Sequence, residues 1–315
     1  MAAARTIQYG SLWPEGHFGR DVAQGFADAI NQGTLGRIQV EVTPPSPDDD
    51  LTNDVLSGKL AMTSGHAIQD HVPEFGLGYL PYLYRSYDEY TSIWSLGTPI
   101  SNAIAAHIDK RKVPVVLLGY SVIGFRDIIL RERRIVQPSD FHGLKIRFDG
   151  STTSHDTFIA LGAEPLGIEY HQVKDALAQG KIDAAANTSY NLIYMQWADV
   201  AKNVSLTSHQ LLTNLEIVNI DFWNSLDSDD QALFRSAMQA ACARFCATAK
   251  AKREEAVALL SSQYHLNVNA VPDAVKAQFA AAVEPMKLAF VAQYGLENEY
   301  QAVLAALNTL RAASN

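Results

Sequence analysis

Hydrophobic and polar positions alternate between two spacings along most of this chain. Short apolar runs are followed by segments in which apolar residues recur every three or four positions, and this pattern predicts strands and helices in turn. Strands are predicted at residues 6–11, 37–43, 59–64, 113–122, 144–148, 182–187 and 215–221. The alternation is typical of an α/β fold in which helices cover both faces of a parallel or mixed sheet.

A much longer helical pattern follows residue 226. Ser228 and Gln231 have the spacing of a capping box, and an alanine-rich run without breakers continues to about residue 264. Such a helix would be about 50 Å long, whereas a compact domain of half this chain has a radius of gyration of about 15 Å. The helix must protrude or lie across two lobes, and the second option predicts a two-lobed protein. Two further helices are predicted at 273–293 and 297–312.

Composition narrows the class of partner. The chain has 315 residues, 48% of them hydrophobic, and its 34 acidic and 25 basic residues give a net charge of −9, which argues against nucleic acid as a partner. The longest apolar stretch, residues 113–120, is far shorter than the ~20 residues of a membrane-spanning helix, so the protein is not expected to insert into a membrane. Residues 1–5 lead directly into the first predicted strand. Either the protein is cytosolic, or a signal peptide was removed and a start methionine added.

The chain comes close to two catalytic motifs and completes neither. Residues 119–123 resemble a nucleophile elbow around Ser121, but Ile123 stands where the strained turn requires glycine. Residues 154–156 read Ser-His-Asp, but neighbours on one helix point in different directions and cannot form a relay. The sequence therefore favours a binding protein over an enzyme, with no cofactor.

Metal ligands are not indicated either. The nine histidines lack the spacing of zinc sites, and the acidic residues 48–50 are interpreted as a solvated helix start. Cys242 and Cys246 lie four apart in a predicted helix, where their side chains share a face but rarely join, so buried or half-buried free thiols are expected.

One region carries a specific family resemblance. Residues 143–147 read GLKIR, residues 158–165 read FIALGAEP, and residues 170–184 read YHQVKDALAQGKIDA, followed by Asn187. This series resembles the solute-binding subunits of tripartite ATP-independent periplasmic (TRAP) transporters, of the C4-dicarboxylate-binding type. The sequence departs from the family pattern where Asp-Gly becomes Asp183-Ala184 and where Glu-Asn-Pro becomes Ala-Asn-Thr at 186–188.

The resemblance implies a fold and a division of the chain. We expect two α/β lobes around a central cleft, joined by shared strands and spanned by the long helix. Lobe I is predicted at 1–124 plus 214–252, and lobe II at 125–213 plus 253–315. Closure about a hinge would trap a solute for delivery to a membrane partner.

Four residues are the main binding candidates. Arg147 ends an apolar strand, where a guanidinium is costly unless an anion or an internal acidic side chain satisfies it, and it matches the family's carboxylate-binding arginine. Arg126 matches a second family arginine, with an exposed strand charge as the alternative. Asn187 follows a strand and could orient the ligand or cap the next helix. Tyr170 matches the family's aromatic position and could cover the ligand or only pack.

Four further candidates are weaker. His66 falls where the family places a selectivity residue, although a surface histidine is equally consistent with its loop. Trp13, Trp197 and Asn214 are the others, and aromatic residues at such places are more often part of the core.

The sequence thus predicts a periplasmic receptor, monomeric and without metal, that captures a small organic acid by its carboxylate and delivers it to the membrane subunits of a TRAP transporter. The aromatic content of the proposed pocket favours a monocarboxylate with a hydroxy, sugar or ring portion over a bare dicarboxylate. The alternative is an α/β hydrolase or lyase acting on organic acids, with His66 or His171 as the base.

Overall fold

A single mixed sheet forms the backbone of the protein. The structure, a computed structural model, describes residues 4–44, 50–65, 68 and 71–313. In these residues the strands are β1 (Arg5–Gly10), β2 (Ile38–Thr43), β3 (Met62–Gly65), β4 (Val115–Leu130), β5 (Lys145–Phe148), β6 (Glu164–Gly167), β7 (Ala184–Thr188), β8 (Asn203–Asn219) and β9 (Asn267–Ala270). Their order is β2-β1-β3-β8-β4-β7-β5-β6, with β9 paired to β8.

Helices cover this sheet on both faces. They are α1 (Phe18–Gly33), α2 (Leu51–Leu56), α3 (Tyr87–Trp94), α4 (Pro99–Arg111), α5 (Thr152–Ala160), α6 (Val173–Gln179), α7 (Ser189–Tyr194), α8 (Ile220–Asn224), α9 (Ser228–Ser262), α10 (Asp273–Tyr294) and α11 (Glu297–Ala313). In the part of the chain described, no helix is long and apolar enough to cross a membrane.

The long strands β4 and β8 join two halves of the molecule. They pair antiparallel over most of their length, with β3 beside one end of β8 and β7 beside the far end of β4. Their ladder shifts register at three places, the last between Arg126 and Ile128. One apolar core contains residues of β1–β3, and a second contains residues of α1–α4. Two other cores contain residues of β5 to β7 and α5 to α7. The predicted two-lobed α/β fold is therefore confirmed, and these halves are called the first and second lobe.

The long helix α9 spans both lobes, which is the second of the two options that its predicted length allowed. Phe245 and Ala249 belong to a core of the first lobe, and Leu260 belongs to a core of the second. The predicted start of the helix was off by one residue. Asp227, not Ser228, is the cap: its extended backbone lets the side chain accept a hydrogen bond from the N–H of Asp230, 2.8 Å away.

Each of the strands β4 and β8 passes from a core of the first lobe to a core of the second lobe at a defined point. On β4 the change falls between Phe125 and Ile128, and on β8 between Val204 and Leu211.

The C-terminal helix α11 packs its buried face with α3 and α4, and Arg311 of α11 donates to both carboxylate oxygens of Glu89 in α3. We propose that α11 belongs to the first lobe, whereas the sequence assigned it to the second; the other lobe boundaries remain predictions.

The extents of β4 and β8 were underestimated from the sequence, and two strands were missed. The strand predicted at 215–221 begins at Asn203 in the structure. The prediction missed its first half because residues 203–214 include many polar side chains, which are buried in the structure. Such residues hide the apolar alternation that marks a strand. The missed strands β6 and β9 are only four residues long and lie at the edges of the sheet.

Candidate functional site

Arg147 lies in the middle of the second lobe's half of the sheet. Its strand β5 is flanked by β6 and β7, and the residue is 7% exposed. Its Nε donates to the carbonyl oxygen of Ile168, 3.1 Å away, and its guanidinium lies 5.5 Å from the centre of the Tyr170 ring. Within the described part of the chain Arg147 forms no salt bridge, so the alternative of an internal acidic partner is not supported there.

The electrostatic surroundings of Arg147 favour an added anion. Burial lowers the pKa of this guanidinium, and the nearby positive charge of Arg126 lowers it further. Asp149, Tyr170 and Glu169 act in the opposite direction and raise this pKa. A buried cation is costly unless an anion accepts its hydrogen bonds, and a carboxylate matches the planar fork of arginine.

Arg126 is buried beside Arg147, but internal partners already hold it. It is 2% exposed, which contradicts the alternative of an exposed strand charge. Its Nη1 donates to the carboxylate of Asp149, to Gln210 Oε1 (3.1 Å) and to Ser154 Oγ (3.2 Å), and its Nη2 donates to the carbonyl oxygen of Ala186 (3.0 Å). Its Nε has no partner within the described residues. A direct contact between Arg126 and a ligand stays a prediction.

Asn187 connects Tyr170 to the start of α7. Its Nδ2 donates to the Tyr170 hydroxyl at 3.2 Å, and its Oδ1 accepts from the backbone N–H of Thr188 at 2.8 Å. The capping alternative is contradicted, because Thr188 is the N-cap of α7 and the cap has no side-chain hydrogen bond. Tyr170 is 38% exposed, with its ring edge-on to buried Trp197 at 5.5 Å. The structure therefore brings Arg147, Arg126, Asn187, Tyr170 and Trp197 into one cluster, called the arginine cluster.

Two of the remaining candidates, Trp13 and Asn214, lie outside the arginine cluster. Trp13 is half-buried in the loop after β1 and stacks on the imidazole of His17 with 4.3 Å between ring centres. Asn214 is buried in β8 and donates to Ser64 Oγ at 3.0 Å. His66 lies outside the described residues.

A buried carboxyl group lies next to Ser64, and it was not among the candidates selected from the sequence. Glu216 in β8 accepts hydrogen bonds from Tyr9 (2.8 Å), from Ser64 (3.1 Å) and from Ser121. Burial raises the pKa of Glu216. Ser121, which resembled a catalytic nucleophile in the sequence, therefore has a structural role as a hydrogen-bond donor to Glu216. An acidic residue between Leu215 and Ile217 in an apolar strand was the available signal, the same signal that pointed to Arg147.

Groups for covalent or metal chemistry do not assemble in the described part of the chain. The His155 imidazole contacts the neighbouring Asp156 carboxylate, 2.9 Å away, and packs against the ring of Phe148, and both polar side chains are about half exposed. His171, the alternative base, is exposed. No group of three or more histidine, cysteine or acidic residues could hold a metal there. Cys242 and Cys246 are free and half-buried, as expected.

Comparison with known proteins agrees with this architecture. The family model of bacterial extracellular solute-binding proteins, family 7, matches residues 9–293. A solute-binding protein of Roseobacter denitrificans is 28% identical over 76% of this chain and 73% of its own length.

Two solved structures have the same fold. A TRAP periplasmic solute-binding protein from Ochrobactrum anthropi superimposes with a TM-score of 0.90 at 22% identity, covering 98% of this chain and 97% of its own, and its ligand pocket holds a C-terminus. Another, from Haemophilus influenzae with bound L-gulonate, superimposes with a TM-score of 0.87 at 22% identity, covering 96% of this chain and 99% of its own. The resemblance seen in the sequence is confirmed: the chain belongs to family 7 of the bacterial extracellular solute-binding proteins, the solute-binding subunits of TRAP transporters.

Proposed function

We propose that the protein is a periplasmic receptor that captures a small organic acid and delivers it to TRAP membrane subunits. The observation that carries the proposal is the buried Arg147 guanidinium, whose terminal nitrogens have no acidic partner within the described residues. A carboxylate accepting both terminal N–H groups would complete this site. Tyr170 and Asn187 would border the acid, and closure of the lobes would remove it from water.

The charges of the site favour a ligand with one carboxylate. Arg147 and Arg126 supply two positive charges, and Asp149, paired with Arg126, supplies one negative charge. Glu169 also acts on Arg147, but it is exposed to solvent, which screens its charge. One positive charge is left to be balanced, which suits a monocarboxylate. The L-gulonate held by the Haemophilus influenzae relative is an acid of that kind. The rest of the ligand would contact Tyr170, for which a hydroxylated or ring-containing acid is suited.

A thermal-shift screen tests the function directly. The panel is L-gulonate, D-glucuronate, lactate, benzoate and succinate, with glucose and benzyl alcohol as uncharged counterparts. We expect at least one monocarboxylate to raise the melting temperature in a concentration-dependent way, because a ligand that binds only the folded state stabilises it.

Mass spectrometry of the bound acid separates receptor from enzyme. We expect its mass to be unchanged after prolonged incubation with the protein. Stabilisation by the uncharged counterparts alone would contradict the carboxylate proposal, and conversion of the acid would favour the hydrolase or lyase alternative.

Asp149→Asn is expected to shift selectivity from monoanions towards dianions. The substitution keeps the side-chain oxygen that accepts from Ser151 N–H and Oγ, but it removes the negative charge beside Arg126. Succinate affinity relative to that of the preferred monocarboxylate should rise about tenfold, since a gain of ~1.4 kcal/mol suffices. Calorimetry with both acids measures the ratio. Asp156→Asn, which removes an exposed charge on the following helix, is the control. An unchanged ratio in Asp149→Asn would exclude this charge argument.

A further inference from the structure

One chain of hydrogen bonds runs from the first lobe into the arginine cluster. It begins at His17, the N-cap of α1, and passes to Asn191 in α7 of the second lobe. Asn191 Nδ2 donates to Asn187 Oδ1 at 3.2 Å, and Asn187 Nδ2 donates to the Tyr170 hydroxyl. Tyr170 in turn lies under Arg147. Neither His17 nor Asn191 was a candidate from the sequence, since they are 174 positions apart.

The direction of each hydrogen bond in this chain is fixed by backbone donors at both ends. His17 Nδ1 accepts from the N–H of Gly19 at 3.0 Å, so the neutral imidazole carries its proton on Nε2 and donates to Asn191 Oδ1 at 3.3 Å. At the other end, Thr188 N–H donates to Asn187 Oδ1. The amide of Asn187 must therefore present its NH₂ group to Tyr170, and that of Asn191 must present its NH₂ group to Asn187.

His17 is enclosed by both lobes. The imidazole stacks on Trp13 of its own lobe, while the edges of Tyr190 and Tyr194, from α7 of the second lobe, pack against it at 5.3 and 5.1 Å. His17 and Asn191 are both buried. The contact therefore exists only while the two lobes are together at this edge.

We propose that His17 and Asn191 are positioning residues, which orient Asn187 and Tyr170 for the acid only when the first lobe has closed onto α7. The inference rests on the proposed function, because it assigns these residues a part in the same acid site. Without Asn191, the Asn187 amide loses one of its three hydrogen bonds and Tyr170 loses its indirect tie to the first lobe. Lobe closure and the geometry around Arg147 are then no longer coupled.

The geometry also predicts how binding depends on pH. Burial lowers the pKa of His17 to about 4, and a proton on Nδ1 would remove its bond with Gly19 N–H. When α7 moves away, the imidazole regains water and its ordinary pKa of about 6.5. Protons therefore favour the open form, and closure weakens as pH falls below about 6.5. The titratable groups facing His17 are Asp21 on α1 and the two tyrosines of α7, with Lys252 of α9 over the Tyr190 ring.

Two variants test the coupling. His17→Asn keeps a favoured N-cap residue for α1 but is too short to reach Asn191, and Asn191→Leu removes the amide at nearly constant volume. Tyr194→Phe is the matched control. It keeps the ring that packs against His17 and deletes only the hydroxyl group, whose interlobe hydrogen bond to the carbonyl oxygen of Glu15 (3.2 Å) is not part of the series from His17 to Tyr170. Circular dichroism and thermal melting without ligand check that each variant is folded.

Calorimetry with each acid of the panel that binds the wild type gives the result. We expect His17→Asn and Asn191→Leu each to weaken binding about tenfold, the double variant to be no weaker than either single one, and Tyr194→Phe to stay within twofold. From pH 7.5 to 5.5 the wild-type affinity should fall about tenfold, and His17→Asn should lose that decrease.

The outcomes separate the two proposals. If wild type binds an acid but both variants bind it like Tyr194→Phe, or their effects simply add, the coupling is overturned while the receptor function stands. If His17→Asn keeps the wild-type pH profile, the assignment of His17 is overturned. If wild type binds no acid of the panel, the receptor proposal fails and the positioning role fails with it.

Discussion

Arg147→Ala is expected to abolish measurable binding of the organic acid. The guanidinium is buried on a strand in the centre of its lobe and is the group proposed to hold the carboxylate. Truncating one partner of a buried, hydrogen-bonded charge pair costs about 2–5 kcal/mol of binding free energy, which is roughly thirtyfold to several thousandfold in affinity. Isothermal calorimetry with the preferred acid measures the loss.

Two further measurements make the Arg147 result specific. Without ligand, Arg147→Met should unfold at the same temperature as the wild type or higher, because an apolar side chain replaces a buried charge that has no salt bridge in the described residues. Arg134→Met removes an exposed charge and should bind the acid as the wild type does. Unchanged affinity in Arg147→Ala, or equal losses in Arg147→Ala and Arg134→Met, would refute the assignment of the carboxylate site.

Asp127→Ala is expected to destabilise the whole fold more than any surface substitution. Asp127 is fully buried where β4 passes from one lobe to the other. Its carboxylate forms a salt bridge with Arg253 of α9 (2.9 Å) and accepts from Ser189 Oγ of α7 (2.9 Å) and the N–H of Ser208 in β8 (3.0 Å). One side chain therefore ties four elements together at the crossing point.

Removing that carboxylate leaves Arg253 without its acidic partner, although the Phe125 carbonyl and the Ser208 hydroxyl still accept from it. The Ser189 hydroxyl and the Ser208 N–H lose the acceptor that Asp127 provides. Breaking a buried ion pair by deleting one member costs about 3–5 kcal/mol of the free energy of unfolding. Denaturant unfolding followed by circular dichroism measures it. Lys202→Ala, which deletes an exposed salt bridge to Glu132, should leave the unfolding midpoint unchanged. If the two variants unfolded at the same denaturant concentration, Asp127 would have no special role at the crossing.

The sequence could predict the features that depend on local pattern. Apolar periodicity located the α/β alternation and both C-terminal helices. The length of α9 left two options, a protruding helix or two lobes, because a helix of that size exceeds one lobe. Arg147 became a candidate because a charge at the end of an apolar strand is costly without a partner, and its match to the family's carboxylate-binding arginine favoured a ligand over an internal acidic partner. The family motifs around it have fixed spacing, so they identified the family without any knowledge of contacts.

Only the tertiary structure decided which polar groups pair. Arg126 was expected to hold ligand, yet Asp149, Gln210 and the Ala186 carbonyl group already accept from it. His17 reaches Asn191 because the lobes fold against each other, and no local pattern records that approach. Periodicity reports which face of an element is buried, but not what it is buried against. Hydrogen-bond partners distant in the chain depend on strand order and on how the lobes meet, so the coupling into the arginine cluster becomes visible only in three dimensions.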